Sequence, residues 1–345
     1  MKRVRIRKAG GYERLEIEET ADGVPRKNEV RIAVEAIGVN FADCIVRMGL
    51  YASAKEYVGW PITPGFEVAG RIDAIGEGVT RHAVGDRVIG LTRFDGYSTS
   101  VVIPEHQAFG FPAEWSMADA AGFSVVYLTA DYALFELAHP RRGAKILVHS
   151  AAGGVGGALL QLARANDLFA VGVVGRSNKV DVAKAQGAAH VIDKSTQDLW
   201  AEAERYAPKG YDVVLDANGV ETLAQSYRHL RPTGRLVIYG FHTMMRRGGP
   251  GTPNWPKLAV DWLRTPRFNP LDLTNDNKSV MAFNLSYLFE EKEILDDAIS
   301  RLMGLVHAGK IKPPATRTFP LASVAEAHRA IESGTTTGKL VLTTD

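Results

Sequence analysis

The stretch that most constrains the fold runs from Lys145 to Ala163. Lys145-Ile146-Leu147-Val148-His149-Ser150 reads as an apolar strand, passes into Ala151-Ala152-Gly153-Gly154-Val155-Gly156-Gly157, and continues as the apolar helix Ala158-Leu159-Leu160-Gln161-Leu162-Ala163. A glycine triplet alone is a weak signal, but one lodged between a buried strand and a helix is the turn of a βαβ unit. Glycines there let the backbone approach a pyrophosphate closely, while the N–H groups and dipole of the helix start favour negative charge. The competing reading is a tight turn with no ligand. The strands and helices that follow favour a dinucleotide, so Ala152, Gly153, Gly154, Val155 and Gly156 are candidate cofactor contacts, with Ala151 standing where the usual fingerprint has its first glycine.

The strand and helix rhythm begins near residue 124. Phe169 to Val174, Ala189 to Ile192, Tyr211 to Leu215 and Arg235 to Gly240 read as further strands, with helices at Val155 to Asn166 and Ser177 to Gln186. Continuously apolar strands between helices predict an α/β fold with a parallel, doubly wound sheet. Before that point, short alternating segments such as Glu29 to Ala36 are separated by glycine-rich turns, the pattern of a compact, mostly β unit. A chain of 345 residues is long for one core, since cores tend to split beyond roughly 250–300 residues, and two domains are expected.

The end of the second Rossmann strand reads on the cofactor. An NAD-preferring site places an acidic residue there, roughly 20 residues past the glycine loop, on the ribose hydroxyls. This chain has Val174-Gly175-Arg176-Ser177-Asn178-Lys179 instead. Gly175 is followed by Arg176, Ser177 and Lys179, which suit a 2′-phosphate through charge and hydrogen bonds, so NADPH is expected over NADH. The other reading of Arg176 and Lys179 is a solvated helix start. Tyr239, Gly240 and Phe241 end a later strand, at the carboxyl edge where ligands gather, and are expected to border the cofactor.

Charge excludes other classes. The 41 basic and 39 acidic side chains leave a net charge of +2, which gives no broad footprint for nucleic acid or an anionic membrane. The basic residues in Met1 to Ile6 have no apolar run behind them, and no apolar stretch approaches a span of roughly 18–20 residues, so a cytoplasmic protein is expected. Cys44 is the single cysteine, which rules out an intrachain disulfide and any site needing two thiolates from one chain.

The segment from about 241 to 278 is read as a long irregular insertion. It carries an amphipathic patch around Leu258, Trp262 and Leu263, with Trp255 and Trp262 near Arg246, Arg247, Arg264 and Arg267. A lid or a dimer contact is the expected role, and a membrane or partner contact is the alternative.

Taken together, Val39-Asn40-Phe41-Ala42-Asp43, Pro64-Gly65-Phe66-Glu67-Val68-Ala69-Gly70, Val84-Gly85-Asp86-Arg87-Val88 and the Ala-Ala-Gly-Gly-Val-Gly loop resemble the medium-chain dehydrogenase/reductases over nearly the whole chain. The pattern is similar to the zinc-free quinone oxidoreductases and ζ-crystallin. The later part, with its insertion and Asn284-Leu285-Ser286-Tyr287-Leu288, looks most like the branch of the vesicle amine transport protein homologues.

The resemblance implies a GroES-like, mainly-β catalytic domain from residues 1–123 and 286–345, and a Rossmann NADPH-binding domain over 124–285. It also implies a homodimer. The zinc-ligand positions of zinc-dependent relatives fall on Asn40, Phe66 and Val125, with Glu67 retained, and none of the three offers a thiolate or imidazole. No metal is therefore expected, and His149, His190, His229 and His242 lack metal-site spacing.

Without a Lewis acid, a quinone or α,β-unsaturated carbonyl is the better hydride acceptor, since it spreads charge onto a distant oxygen. The resemblance places Asn40, Tyr51 and Thr129 at the reacting end: Asn40 to orient the nicotinamide or bind a substrate oxygen, Tyr51 to stack or donate its hydroxyl, Thr129 beside the ring. Their plainer readings are a turn asparagine, core packing and a helix threonine bonded to its own turn. Ile45 replaces a second tyrosine of the family cleft, which suggests a more apolar pocket. Lys339 is a further cofactor candidate, with an ordinary surface lysine as the other reading. The rival functions are an NADPH-binding sensor or interaction protein without turnover and, less favoured, a zinc alcohol dehydrogenase.

Overall fold

The computed structural model describes residues 1–245 and 248–344. A short antiparallel hairpin, β1 (Lys2–Arg5) with β2 (Glu16–Glu19), precedes β3 (Glu29–Val39), the spine of the N-terminal sheet. Along β3 buried and half-buried residues alternate up to Glu35, as one covered face requires. Beyond that point Ala36, Ile37, Gly38 and Val39 are all buried, because a strand from the far end of the chain lies alongside.

β4 (Glu67–Ile75), β5 (Arg87–Leu91), β6 (Ser100–Pro104) and β7 (Ala108–Gly110) complete the first part of this sheet. The Rossmann strands follow as β8 (Lys145–Val148), β9 (Phe169–Val174), β10 (His190–Asp193), β11 (Tyr211–Asp216), β12 (Leu230–Ile238) and β13 (Ser279–Ala282). The last two strands, β14 (Thr316–Pro320) and β15 (Lys339–Thr343), return to the first sheet, where β15 runs antiparallel to the end of β3.

The seven-stranded sheet has the order β14-β15-β3-β4-β5-β7, with β6 also paired to β3. The six-stranded sheet has the order β10-β9-β8-β11-β12-β13 with every pair parallel. Its strand order reverses at β8, which opens a crevice at the carboxyl ends of the strands. Ile146, Leu147 and Val148 are fully buried, as a central parallel strand covered on both faces must be. The α/β class expected from the strand and helix rhythm is the one observed.

The edge strand β13 pairs with β12 from Ser279 to Ala282. The insertion is not irregular throughout, since it contains the helices Trp255–Arg264 and Pro270–Asp276. Asn254 caps the first by accepting from Lys257 N, Asn269 caps the second by accepting from Leu271 N, and each helix has proline in its opening turn. Asparagine followed closely by proline is a helix-start signature that a reading for periodicity alone passes over. Arg246 and Arg247, cited with the tryptophans, lie outside the described residues.

Candidate active site

A cleft of about 880 Å³ lies between the two sheets. One end is the glycine loop. Ser150 turns the chain with φ at +55°, and the helix Gly154–Ala165 starts there, with Gly153 as its N-cap and no acidic residue in its first turn. Ala152, Gly153, Gly154, Val155 and Gly156 all border the cleft. A Cβ on Gly156 would lie 2.3 Å from Ser150 O, so only glycine lets the helix start close against the strand end. Unsatisfied N–H groups at a helix start with no carboxylate beside them suit a pyrophosphate.

Further along, Gly175, Arg176 and Lys179 line the same cleft. Arg176 is exposed. Two neighbours differ from the sequence reading. Ser177 is not among the lining residues, and its Oγ donates to Asp193 Oδ2 at 2.5 Å, which holds that carboxyl below its usual range. Lys179 Nζ donates to the carbonyls of Gly334 and Thr336, both at 2.8 Å, and so ties the Rossmann domain to the C-terminal segment.

Lys194, which the sequence reading missed, lines the cleft beside Gly175. Its only signal is position, just past the end of β10, and only the pairing of β10 with β9 brings it to Gly175.

The other end is built on the catalytic sheet. Asn40 follows β3 and caps the helix Phe41–Arg47, and its backbone N–H donates to Asp43 Oδ2 at 2.7 Å. Its side-chain amide is bound at both ends: Nδ2 donates to Glu67 Oε1 at 3.0 Å, and Oδ1 accepts from Lys339 Nζ at 2.5 Å. Lys339 Nζ also lies 2.6 Å from Glu67 Oε1, and Glu67 Oε2 accepts from Ser124 Oγ and Val125 N, both at 2.7 Å. Lys339 is buried, at 4 % exposure, so the reading of an ordinary surface lysine is corrected. Its burial is possible because the ammonium meets a carboxylate and an amide oxygen.

The three positions that the resemblance sets against zinc ligands all border the cleft, and two of them, Asn40 and Val125, bond the Lys339–Glu67 pair. Asn40 and Val125 N both bond Glu67, while the Phe66 ring packs on Tyr51 with centroids 5.7 Å apart. Thr129 borders the cleft with its hydroxyl turned to Val125 O at 2.6 Å. Tyr51 also lines it; its hydroxyl donates to Asn284 Oδ1 at 2.7 Å, and burial raises its pKa to about 12. Ile45 contributes an apolar wall. Tyr239, Gly240 and Phe241 border the cleft at the end of β12, with the Tyr239 hydroxyl buried and unpartnered among the described residues, which raises its pKa.

Beneath this corner, Cys44, His328 and Glu332 bring three potential ligand atoms within 4.8 Å of one another. A cation already sits among them. Arg47 Nη1 is 2.8 Å from His328 Nδ1 and Arg47 Nη2 is 2.8 Å from Glu332 Oε1. Since a guanidinium only donates, His328 Nδ1 is the acceptor and its Nε2–H faces Tyr97 Oη at 3.1 Å. Tyr97 in turn donates to Asp43 at 3.0 Å, which completes a chain of bonds to the Asn40 backbone. This is a positioning network and not a metal centre.

Comparison with known proteins agrees with this architecture. Residues 26–132 match the alcohol dehydrogenase GroES-like domain, and residues 186–342 match the zinc-binding dehydrogenase model. The chain is 36 % identical over 339 residues to the synaptic vesicle membrane protein VAT-1 homolog of Danio rerio, covering 97 % of this chain and 68 % of that protein. It is 32 % identical over 343 residues to a 2-haloacrylate reductase of Burkholderia sp, covering 98 % and 97 %. The structure of Escherichia coli quinone oxidoreductase complexed with NADPH superposes with a TM-score of 0.86 at 28 % identity, over 99 % of this chain and all of that one. With both domain models matched and such relatives aligned over nearly the whole of this chain, it belongs to the medium-chain dehydrogenase/reductase family, on the branch of the VAT-1 homologues and the quinone oxidoreductases.

Proposed function

We propose that the protein is an NADPH-dependent reductase of quinones or α,β-unsaturated carbonyls that works without zinc. The observation that carries this reading is the continuity of the cleft, which joins the glycine loop and Arg176 to an apolar and aromatic end around Tyr51, Phe66 and Ile45. The solved relative with NADPH and the relative that reduces a haloacrylate, an activated double bond, support it. When bound, reduced nicotinamide would supply a hydride, and so two electrons, to the acceptor carbon, with the balancing proton taken from water.

The chain's residues hold the parts. The glycine loop takes the pyrophosphate, Arg176 and Lys194 flank a 2′-phosphate, and Asn40, fixed by Glu67 and Lys339, shapes the wall beside the ring. Lys339 Nζ takes the corner where zinc-dependent relatives need a Lewis acid. Positioning alone can lower a barrier by up to ~7–11 kcal/mol in favourable cases, which is sufficient for an activated acceptor.

The test follows NADPH absorbance with chelator-treated protein against a panel of quinones and alkyl enones, with NADH in parallel. Turnover that survives chelation and prefers NADPH is the expected result. Tight NADPH binding with no turnover would shift the reading to a sensor or interaction protein, for which the exposed Trp255, Trp262, Leu263 and Leu271 offer a surface. In that case a pull-down on anionic vesicles decides between a membrane and a protein contact.

A further inference from the structure

Asn284 lies two residues beyond β13 and lines the cleft opposite the catalytic sheet. Its Oδ1 accepts three hydrogen bonds, from Ser286 N at 3.0 Å, Ser286 Oγ at 2.9 Å and Tyr51 Oη at 2.7 Å. A backbone N–H only donates, so the side-chain atom facing Ser286 N is the oxygen and the orientation of the amide is fixed by chemistry. The opposite atom, Nδ2, carries two N–H donors that meet no acceptor among the described residues.

Most polar groups at this end are engaged, although Asn40 Nδ2 keeps one N–H beyond its bond to Glu67 and Lys339 Nζ keeps a third N–H. The Asn40 amide spans Glu67 and Lys339, Thr129 gives its proton to Val125 O, and Tyr51 gives its proton to Asn284. While that last bond holds, Tyr51 presents lone pairs and no donor to a ligand. Across the cleft from Asn40 and Lys339, Asn284 offers a carbonyl oxygen an amide nitrogen whose two N–H groups are both without a protein acceptor among the described residues.

We propose that Asn284 Nδ2 binds the carbonyl oxygen of the acceptor, so that the site selects molecules whose carbonyl is conjugated to the carbon that is reduced. The inference rests on the reductase reading above. As hydride adds to the distal carbon, the π electron pair shifts towards the oxygen, and the amide meets a growing negative charge, where a hydrogen bond strengthens. Water then protonates the enolate at carbon, or the reduced quinone at oxygen. Tyr51 is a positioning residue in this scheme, holding the amide across the cleft from the other domain.

The test compares two probes of one ring frame, 1,4-naphthoquinone and naphthalene, bound to the full-length protein in the presence of NADP⁺ and measured by equilibrium dialysis. Cys44, the single cysteine, is buried and so is shielded from quinone addition. Asn284→Asp keeps an oxygen for Ser286 N and Tyr51 while replacing the donor with an acceptor. It is expected to weaken naphthoquinone binding about tenfold or more, the scale of one hydrogen bond, and to leave naphthalene within about twofold. Asn284→Leu gives the same comparison if the aspartate variant does not fold.

Unchanged naphthoquinone affinity overturns the proposal, as does an equal loss for both probes. A loss of NADP⁺ affinity alone would assign the donor to the cofactor and also overturns it. So does a loss of the oxygen-dependent part in Tyr51→Phe that Asn284→Asp does not show. If no acceptor is turned over, the reductase reading falls, and the dialysis result still decides the part played by Asn284.

Discussion

Lys339, Glu67 and Asn40 show how much a single contact decides at the reacting end. The ammonium and the carboxylate are both almost fully buried, 2.6 Å apart. Removing one partner of such a pair costs about 3–5 kcal/mol, because the other charge stays buried and unpaired. Lys339→Met should therefore lower the melting temperature by several degrees, and Glu67→Gln added to it should recover part of the loss; thermal unfolding of the wild type and the two variants checks this. Arg176 is the opposite case, an exposed cation whose proposed partner is a ligand. Arg176→Ala should raise the KM for NADPH about tenfold, on the scale of a charge-assisted hydrogen bond, and should change the KM for NADH little. Equal effects on both cofactors would remove the 2′-phosphate assignment.

At the scale of elements, the helix Phe41–Arg47 carries Asn40 at its start and roots it through Asp43. That carboxyl is completely buried, which raises its pKa to about 7 even though Asn40 N, Gly65 N and Tyr97 Oη all donate to it. The folded state thus binds a proton more readily than the unfolded chain, whose aspartate titrates near ~3.9. The sign follows: this contribution to stability is fully present below the unfolded pKa and is lost as pH rises through about 7. Wild-type stability should fall between about pH 4 and 7 through this group, and Asp43→Asn should give a lower but flatter profile of melting temperature against pH.

The helix Trp255–Arg264 places Trp255, Leu258 and Trp262 on one face, at the mouth of the cleft. Its cap is Asn254, and Asn254→Ala should cost about 1 kcal/mol of local stability, seen as faster amide exchange over residues 255–264. Both helices of the insertion were legible in their caps, while the bonds that hold them were not. Lys257 reaches the Thr243 carbonyl at 2.6 Å and also pairs with Asp261.

Across the whole molecule the insertion closes one side of the cleft by reaching the catalytic domain. Arg47 Nη2 donates to Gly251 O at 2.7 Å while the same guanidinium holds Glu332. Gly251 has φ at +76°, and a Cβ there would sit 2.8 Å from the Tyr12 ring. Gly251→Ala should therefore loosen this contact, with faster proteolysis between residues 245 and 255 and weaker protection by bound NADPH. A wild-type cleavage pattern would show that the strap contributes nothing to closure.

Most of the Rossmann half was open to sequence reading because its signals are local. An apolar run of strand length, a glycine turn and an amphipathic helix are each complete within about twenty residues. The chemistry of the cofactor end shared that advantage in part: Gly175 and Arg176 stand at the end of their own strand, whereas Lys194 arrives from the next one.

By itself the sequence determined the α/β class, the glycine loop and the identity of the family. Only the tertiary structure decided that Lys339 is buried on Glu67, that Tyr51 spends its proton on Asn284 and that Ser177 serves Asp193 and not the cleft. The physical reason is separation along the chain. Lys339 and Asn40 are 299 residues apart, and Tyr51 and Asn284 are 233 apart. No periodicity or local motif encodes which two such polar groups will satisfy each other once water has been excluded from both.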